Sequence, residues 1–508
     1  MQRFISSPAI FLVILLALPA GADIIRVPTD QPTIQAGIDA AVSGDTVLVA
    51  DGTYTGDGNR EITFNGKAIT VTSENGPENC LIDVYPDHVR VFVFDSGESP
   101  ESVLKGFTIS GGRGEIGESE WGGGIYCEGS SPTIRDNIIT GNTSCFGAGI
   151  CCWTGSGPLI EGNVITGNQM QYSLDTGSYG GGIFVYQCDL IVIRGNVISW
   201  NIADLWSMGC AMYGQESTVE LANNLVVHNG VGKEPFDALR FNECEVLIRN
   251  LTLADNEISH FGAINLGDCT GVIKNSIIRN DFETQIYLHE SECTMRYCDV
   301  QDGWPGEGNI DADPLFVSGL EGDYYLSQVA AGQTADSPCV DAGQLPAVEE
   351  CWQTVKGPVC LDDLATRTDE INDQGIADMG FHYPASKPVA AWLTCEPDTG
   401  TVPFTTRLSI GIENLLADEF RQAAGRIDVV LGNGTAYPNW RAGHLVFDPG
   451  ESFAAAWRQG IPAVTGVIGS NTFTFTVADV TPPPYNQPPY SPSGSTELAS
   501  CTVTAVAP

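Results

Sequence analysis

Four segments that interrupt glycine-rich stretches bring aromatic and acidic side chains together, and they are the part of the chain best suited to chemistry. The segments span residues 111–121, 169–180, 202–209 and 230–236. Flat aromatic faces stack on sugar rings, and carboxylates accept hydrogen bonds from hydroxyl groups or hold Ca²⁺. The pattern predicts a carbohydrate-binding surface with these candidate residues: Trp121, Tyr172, Tyr179, Trp206, Glu118, Glu120, Asp175 and Asp204. The alternative is that the segments are surface loops whose rings cover strand edges.

A second pattern is a row of basic residues in a strongly acidic chain. The position after the first aliphatic residue of each repeat is basic in six of eight cases, namely Lys105, Arg135, Arg194, Arg249, Lys274 and Arg296. Stacked at a regular spacing, these charges could follow the carboxylates or sulfates of an anionic polysaccharide. The alternative is an exposed strand position whose charges pair with neighbouring acids.

Both patterns depend on an internal repeat. The segments that begin at Ile134, Ile160 and Ile193 align residue by residue, and looser copies continue to Ile273 with steps of 26, 33, 28, 27 and 25 residues. Each repeat contains short runs of Ile, Val, Thr and Tyr separated by Gly and Asn, with no helical spacing. The sequence therefore predicts an all-β solenoid, a right-handed parallel β-helix whose coils lie about 4.8 Å apart.

Stacked coils place equivalent residues above one another, so columns of one residue type are expected. One column is predicted to be an asparagine ladder at a turn, with members Asn137, Asn163, Asn196 and Asn224. Two other columns consist of cysteines: Cys127 with Cys152, and Cys188 with Cys244 and Cys269. These thiols either stack as small buried side chains or pair between coils.

The repeats resemble those of secreted bacterial right-handed β-helix proteins, the broad pectate-lyase-like superfamily. The start, IIRVPTDQPTIQAGIDAAVSGDTVLVADGTYTG, is similar to their N-terminal cap, in which a short amphipathic helix places Ile34, Ile38 and Val42 on one face. The segments GWPGEGNIDADPLF, DSPCVDAG and DQGIADMGFHYP resemble those that close such helices. The resemblance covers most of residues 23–384 and implies the fold.

The resemblance does not fix an activity, because this superfamily includes lyases, hydrolases, epimerases and proteins with no known reaction. A lyase of this kind needs carboxylates that hold calcium and a basic residue, and a hydrolase needs carboxylates on neighbouring coils. The family motifs Asn-Thr-Asp, Gly-His-Gly, Arg-Ile-Lys and Arg-x-Pro-x-x-Arg do not occur here. Whether the chain is an enzyme is left open.

The chain divides into five predicted regions. Residues 1–22 resemble a secretory signal peptide, residues 23–100 the N-terminal cap and first coils, 101–310 the β-helix repeats, and 311–384 the closing region. Residues 388–508 show the period-two alternation of strands and are predicted to form an immunoglobulin-like β-sandwich. The disulfide candidates outside the stack are Cys395 with Cys501 and Cys351 with Cys360.

The amino-acid composition disfavours several classes of partner and cofactor. Acidic residues outnumber basic ones 63 to 23, and the resulting net charge of -40 disfavours nucleic acid and anionic membranes. Scattered histidines and the absence of a CxxC pair disfavour a zinc or haem site. The signal peptide, without a later apolar stretch long enough to span a membrane, predicts a secreted, extracellular or cell-surface location. The sequence does not indicate an oligomeric state.

The function predicted from the sequence is binding of extracellular polysaccharide or cell-surface glycan through inserted loops on one face of the β-helix. Two alternatives are kept. One is a polysaccharide lyase or glycoside hydrolase of the pectate-lyase-like superfamily that acts at the same face, and the other is a non-catalytic structural or adhesive surface protein.

Overall fold

The computed structural model describes residues 22–87, 89–114, 121–171, 177–204, 207–232, 235–319, 321–354 and 357–384, and beyond these the backbone of eight strands. Residues 1–21 of the predicted signal peptide lie outside this description.

The repeats stack into long parallel sheets, because each strand pairs with the strand at the same position of the next repeat. Sheet 1 has 11 strands, sheet 2 has 10, sheet 3 has 9 and a short fourth sheet has 4. Ile134, for example, pairs with Leu104 on one side and with Ile160 on the other. From strand Thr133–Arg135 to strand Asp237–Asn242, the chain passes four times through sheet 1, sheet 2, the short sheet and sheet 3 in turn. The prediction of a right-handed parallel β-helix is confirmed.

The strand bounds follow the coils. Sheet 1 consists of Ile24–Val27, Thr46–Val49, Thr70–Ser73, Val103–Lys105, Thr133–Arg135, Leu159–Glu161, Ile191–Arg194, Thr218–Ala222, Glu245–Arg249, Thr270–Lys274 and Glu292–Arg296. Sheet 2 consists of Gly52–Tyr54, Cys80–Asp83, Thr108–Ser110, Ile138–Thr140, Val164–Thr166, Val197–Ser199, Leu225–Val227, Thr252–Ala254, Ile277–Arg279 and Asp299–Val300. Sheet 3 consists of Ile62–Thr63, Phe92–Phe94, Ile125–Glu128, Ile150–Trp153, Ile183–Tyr186, Met212–Gln215, Asp237–Asn242, Gly262–Gly267 and Ile286–His289. The short sheet consists of Thr143–Ser144, Gln169–Met170, Ile202–Ala203 and Val231–Gly232.

An α-helix, Ile34–Ala40, packs against the first strands at the N-terminal end of the core. Thr33 is its N-cap, and its side-chain oxygen accepts a backbone N–H of the first turn. Ile34 and Ile38 are fully buried, as the cap resemblance implies. Val42 is 60% exposed instead of buried, because the chain leaves the helical conformation before it reaches this residue.

The predicted asparagine ladder forms at the turn between sheets 1 and 2. The Nδ2 amide of Asn137 donates to Oδ1 of Asn163 at 3.2 Å, and Asn163 and Asn196 repeat the contact to Asn196 and Asn224 at 3.1 and 3.0 Å. Each accepting Oδ1 also binds the backbone N–H of the asparagine one coil earlier. The ladder thus supplies partners for buried amide groups that would otherwise be costly.

A second ladder, which was not predicted, lies at the turn after sheet 2. Its members are Asn142, Asn168, Asn201, Asn229, Asn256 and Asn280. Successive Nδ2···Oδ1 distances are 3.0, 3.1, 2.8, 3.0 and 3.0 Å. Gln285 ends the series by accepting from the last asparagine at 3.1 Å.

The cysteine columns are buried and remain thiols. Cys127 and Cys152 are register partners that face the core, and the Sγ of Cys269 accepts the backbone N–H of Cys244 at 3.3 Å. The structure therefore has the stacked arrangement rather than bonds between coils.

The closing region packs across the outer surface of sheet 2, where Tyr325 and Phe381 form an apolar cluster with Leu225 and Val227. Its 3-10 helices are Val329–Ala331, Ala347–Glu349 and Leu361–Asp363. Its strand pairs are Phe316–Val317 with Tyr325–Leu326, Cys351–Thr354 with Gly357–Cys360, and Leu364–Ala365 with Tyr383–Pro384. A disulfide between Cys351 and Cys360, the pair singled out in the sequence, closes the second of these into a hairpin.

The C-terminal region contains two antiparallel sheets. One consists of Ala390–Pro397, Thr405–Glu413 and Ser452–Gly460. The other consists of Ala436–Tyr437, Arg421–Val430, Gly469–Asp479 and Thr496–Ala505, with Ala442–Phe447 also paired to Arg421–Val430. The immunoglobulin-like sandwich and the Cys395–Cys501 bond stay predictions, because the side chains of this region lie outside the described residues.

Candidate functional site

The described ends of the inserted segments lie next to one another between the short sheet and sheet 3. Strands of the short sheet lead into three of the insertions and stack in parallel. On the far side of the insertions, Trp121, Phe146, Tyr179 and Met208 form a row of parallel bridges. The described ends of these insertions therefore lie along one side of the β-helix.

Two rows of side chains point outward from sheet 3. The first row is Tyr126, Cys151, Phe184, Tyr213, Arg240, Asn265 and Tyr287. The second row is Glu128, Trp153, Tyr186, Gln215, Asn242, Gly267 and His289. The first row changes from aromatic to polar between Tyr213 and Arg240, so the outer face of sheet 3 has two adjoining parts.

The first part, here called the aromatic face, is a cluster of rings formed by Trp121, Tyr126, Phe146, Trp153, Tyr179, Phe184, Tyr186 and Tyr213. Trp121 stacks on Phe146 with ring centroids 4.0 Å apart, and Trp153 stacks on Tyr186 at 4.4 Å. Trp121, Trp153, Tyr179 and Tyr186 are half-buried, whereas the other rings are buried beneath them. The cluster therefore presents the surfaces of several fixed rings to solvent.

Arg90 bounds the aromatic face at its N-terminal end. Its guanidinium lies 4.3 Å from the centre of the Tyr126 ring, and its Nε–H donates to the carbonyl of Trp121 at 2.8 Å. The arginine therefore fixes both the first ring of the outward row and the base of the first insertion.

The second part is a depression with a volume of about 230 Å³. Its lining residues are Arg240, Asn242, Phe261, Asn265, Gly267, Asp268, Tyr287 and His289. The guanidinium of Arg240 lies 5.4 Å from the centre of the Phe261 ring. A side chain at Gly267 would place its Cβ 2.8 Å from Oδ1 of Asn242, so the glycine keeps the depression open.

Asp237 supports the depression from below. Its carboxylate is completely buried and accepts hydrogen bonds from Arg240 at 3.1 Å, Asn265 at 3.1 Å and the backbone N–H of Gly209 at 2.6 Å. Burial raises the pKa of Asp237, and the nearby Arg240 charge opposes that rise. The three donors hold the carboxyl group in place, and its contact with Arg240 orients the guanidinium.

A hydrogen bond joins the two parts of the outer face. Asn242 donates from Nδ2 to the hydroxyl of Tyr213 at 2.8 Å. Burial of this phenol raises the pKa of Tyr213 to about 12, so the hydroxyl stays protonated at neutral pH. The last ring of the outward row and the first amide of the depression thus have fixed relative positions.

The structure brings together part of the predicted site. Trp121 and Tyr179 lie in the aromatic face, whereas Asp204 is half-buried outside that cluster, with its backbone N–H bound to the Ser207 hydroxyl at 2.9 Å. The remaining candidates, Glu118, Glu120, Tyr172, Asp175 and Trp206, lie outside the described residues.

Most residues of the outer face were missed in the sequence. The signal was present in the strands IYCE, ICCW, IFVY and MYGQ, where the second and fourth positions point away from the core. Those positions hold Tyr126, Trp153, Phe184, Tyr186 and Tyr213, which lie on strands rather than on the insertions.

The predicted basic row exists as a register column of sheet 1, but it is not an open track. Its members, with Glu161 and Ala222 between them, pair in the order Lys105, Arg135, Glu161, Arg194, Ala222, Arg249, Lys274 and Arg296.

The disulfide-closed hairpin and the residue before it cover the middle of this row. Arg194 and Arg249 donate to the carbonyls of Gln353 and Cys351, and Lys274 forms an ion pair with Glu350 at 2.8 Å. Arg194 is only 4% exposed. An anionic polymer that lay along sheet 1 would meet the closing region instead of these charges.

Among the residues that the structure describes, no group of three or more His, Cys, Asp or Glu side chains is arranged to hold a metal ion. Within the same residues, no helix is long and apolar enough to cross a membrane.

Comparison with protein-family models agrees with the fold. A protein-family model described as "Right handed beta helix region" matches residues 105–238. A solved structure of the PL6 family alginate lyase AlyGC is similar at 14% sequence identity with a TM-score of 0.25, over 61% of this chain and 56% of the lyase. An arginine-to-alanine mutant of that lyase gives 12% identity and a TM-score of 0.20 over the same shares. The chain thus spans little more than half the length of these lyases, and no curated protein sequence matches it.

Proposed function

We propose that the outer face of sheet 3 binds a polysaccharide or surface glycan whose chain runs along the axis of the β-helix. The observation that carries the proposal is the continuity of the aromatic face with the polar depression through the Tyr213–Asn242 hydrogen bond. Sugar rings are apolar on their faces and polar at their edges, and a surface with both properties in fixed positions suits them.

The regular stacking of the coils suits a ligand that is itself a polymer of repeating units. A ligand along the axis meets equivalent positions at intervals of one coil, about 4.8 Å. Trp153 and Tyr186 offer half-exposed rings on successive coils, and Arg240 and Asn265 line the depression two and three coils beyond Tyr186. Successive sugar units of the ligand can therefore meet side chains at regular intervals along the β-helix.

Export and the C-terminal sandwich belong to the same proposal. A net charge of -40 keeps a protein soluble outside the cell, and the Cys351–Cys360 disulfide is compatible with an oxidising compartment. We infer a secreted or cell-surface protein in which the sandwich is a separate domain that follows the glycan-binding β-helix.

The test is binding to a panel of polysaccharides that includes alginate, polygalacturonate, xylan and cellulose. The double variant Trp153→Ala/Tyr186→Ala removes two half-exposed rings and is expected to lower the affinity at least ten-fold for any polysaccharide that the natural protein binds. Trp153→Phe keeps a ring and serves as the matched control. Equal binding by the double variant would show that the aromatic face is not the site.

A second candidate function is cleavage of the polysaccharide by β-elimination in the depression. The observation that favours it is the presence of Arg240, Tyr287 and His289 around one open space, because elimination needs a proton acceptor beside a polarised sugar. Hydrolysis is less suited, since it uses two carboxyl groups and Asp268 is the one carboxylate that lines the described depression. Unsaturated product that forms with the natural protein and not with His289→Ala would establish this activity.

A further inference from the structure

Trp200 occupies a corner position at which earlier coils have glycine. It directly follows strand Val197–Ser199 of sheet 2, and the equivalent residues of the two preceding coils are Gly141 and Gly167. The backbone is left-handed at all three positions, with φ values of 66°, 64° and 54° along the series.

A tryptophan in this conformation is unfavourable. An L residue with positive φ has its Cβ crowded against the following carbonyl, and for a bulky side chain this is a rare outlier. Burial does not compensate, because Trp200 is 39% exposed. Strained residues that are not explained by packing concentrate at functional sites.

The ring of Trp200 is held in place by one stacking contact, which hydrogen bonds behind it support. It stacks on the imidazole of His228 with centroids 4.6 Å apart and an interplanar angle of 23°. The Nε2 atom of His228 lies 3.0 Å from the hydroxyl of Tyr324, and that hydroxyl donates to Oδ2 of Asp255 at 2.7 Å. His228 and Asp255 hold the same corner position in the next two coils, with φ values of 56° and 55°.

From this geometry we infer that Trp200 is a second glycan contact, which stacks on the face of one sugar ring while the exposed carboxylate of Asp255 accepts from its hydroxyl groups. The inference takes the class of ligand, a glycan, from the proposed function. The location of the second contact follows from the geometry around Trp200 alone. Trp200 stands just before the insertion 202–209, and Met208, near the end of this insertion, forms a bridge to Tyr179 of the aromatic face. Trp200 and the aromatic face therefore lie at opposite ends of the same insertion.

The substitution Trp200→Gly separates a binding role from a structural one. Glycine restores the residue of the earlier coils and removes the strain, so the melting temperature is expected to stay equal or to rise. Affinity for the polysaccharide that the natural protein binds is expected to fall about three-fold to ten-fold. Trp200→Asn, which also tolerates positive φ, repeats the test, and Leu190→Ala removes another exposed apolar side chain as a control.

The outcomes are distinct. Unchanged affinity in Trp200→Gly, with or without a lower melting temperature, overturns the second contact and makes the ring a clamp for the closing region. A loss of affinity that adds to the loss in Trp153→Ala/Tyr186→Ala supports two independent contacts. If the natural protein binds no member of the polysaccharide panel, the proposed function fails and the second contact fails with it.

Discussion

The Nδ2 amide of Asn242 and the hydroxyl of Tyr213 form a hydrogen bond of 2.8 Å across two coils of sheet 3. This contact lies where eight clustered rings give way to a depression lined with donors. Tyr213 is also stacked on Phe184, with ring centroids 5.5 Å apart. A shift of the Asn242 amide would therefore move a ring that belongs to the cluster. The bond is therefore the joint between the two halves of the proposed binding face.

Removal of the Tyr213–Asn242 hydrogen bond is expected to lower both stability and polysaccharide affinity. Tyr213→Phe keeps the ring and leaves the Asn242 amide without this partner, which is expected to cost about 1 kcal/mol of unfolding free energy. Polysaccharide affinity should fall more than this small destabilisation explains, because Asn242 then loses its fixed orientation. Denaturant unfolding and a binding isotherm on the same sample measure the two effects. A variant with normal affinity would separate the aromatic face from the depression.

The depression can be closed without a change in charge. Gly267→Ala places a Cβ 2.8 Å from Oδ1 of Asn242, so this amide must move and narrow the space. Loss of binding with little loss of stability is expected. Gly214→Ala on the same sheet is the matched control, since its Cβ would lie 2.8 Å from the ring of the buried Phe241. That variant should lower the melting temperature and leave affinity nearly unchanged in the protein that stays folded.

The asparagine ladder is expected to be a main source of stability. Asn196→Ala removes acceptors from the backbone N–H and the side chain of Asn163, both of which are buried. Unsatisfied buried groups of this kind cost about 1–3 kcal/mol each, so we expect a loss of about 3 kcal/mol in chemical unfolding. The control Asn79→Ala, at an exposed position, should change the unfolding free energy by less than about 0.5 kcal/mol. Comparable effects of the two variants would contradict the role of the ladder.

A buried ion pair attaches the residue before the disulfide-closed hairpin to sheet 1. Glu350 is buried, and its carboxylate binds the Lys274 ammonium at 2.8 and 3.0 Å. Glu350→Ala leaves the lysine unpaired and should cost about 3 kcal/mol of unfolding free energy. The neighbouring exposed Glu349→Ala is the control. If both variants melt at the temperature of the natural protein, the hairpin does not stabilise the coils that it covers.

Stability should increase on mild acidification because of Asp299. Burial raises the pKa of Asp299 to about 6, despite its ion pair with Arg279 at 2.9 Å. A carboxyl group whose folded-state pKa is raised favours folding when protonated, so its contribution is present at low pH and is lost as the pH rises through about 6.

Between about pH 7.5 and about pH 5, this group alone should add about 1 kcal/mol to the unfolding free energy. Asp299→Asn mimics the protonated carboxyl and should flatten that part of the pH profile, as thermal unfolding in matched buffers can show. A pH profile identical to that of the natural protein would assign the effect to the general negative charge instead.

The fold was accessible from the sequence because each coil repeats the same constraints. The segments that begin at Ile134, Ile160 and Ile193 align residue by residue, and an asparagine three residues after each isoleucine marks the same turn in each copy. The limit appeared at Val42, which was expected on the apolar face of the helix although the helix ends at Ala40. Local periodicity does not define where a short cap ends.

The site was less accessible, for two physical reasons. Trp153 and Tyr186 alternate with core residues on short strands, so their outward direction follows from pleating rather than from any motif. The cover on Arg194 comes from Gln353, a contact between residues 159 positions apart that no local pattern encodes.

Hydroxyl-radical footprinting of the protein with and without a bound polysaccharide tests the central claim most directly. We expect oxidation of Trp153, Tyr186 and Tyr287 to fall on binding, while the control Tyr85, which is 72% exposed and follows strand Cys80–Asp83 of sheet 2, is oxidised equally in both samples. Unchanged oxidation of the three residues of the outer face, with protection elsewhere on the β-helix, would contradict it.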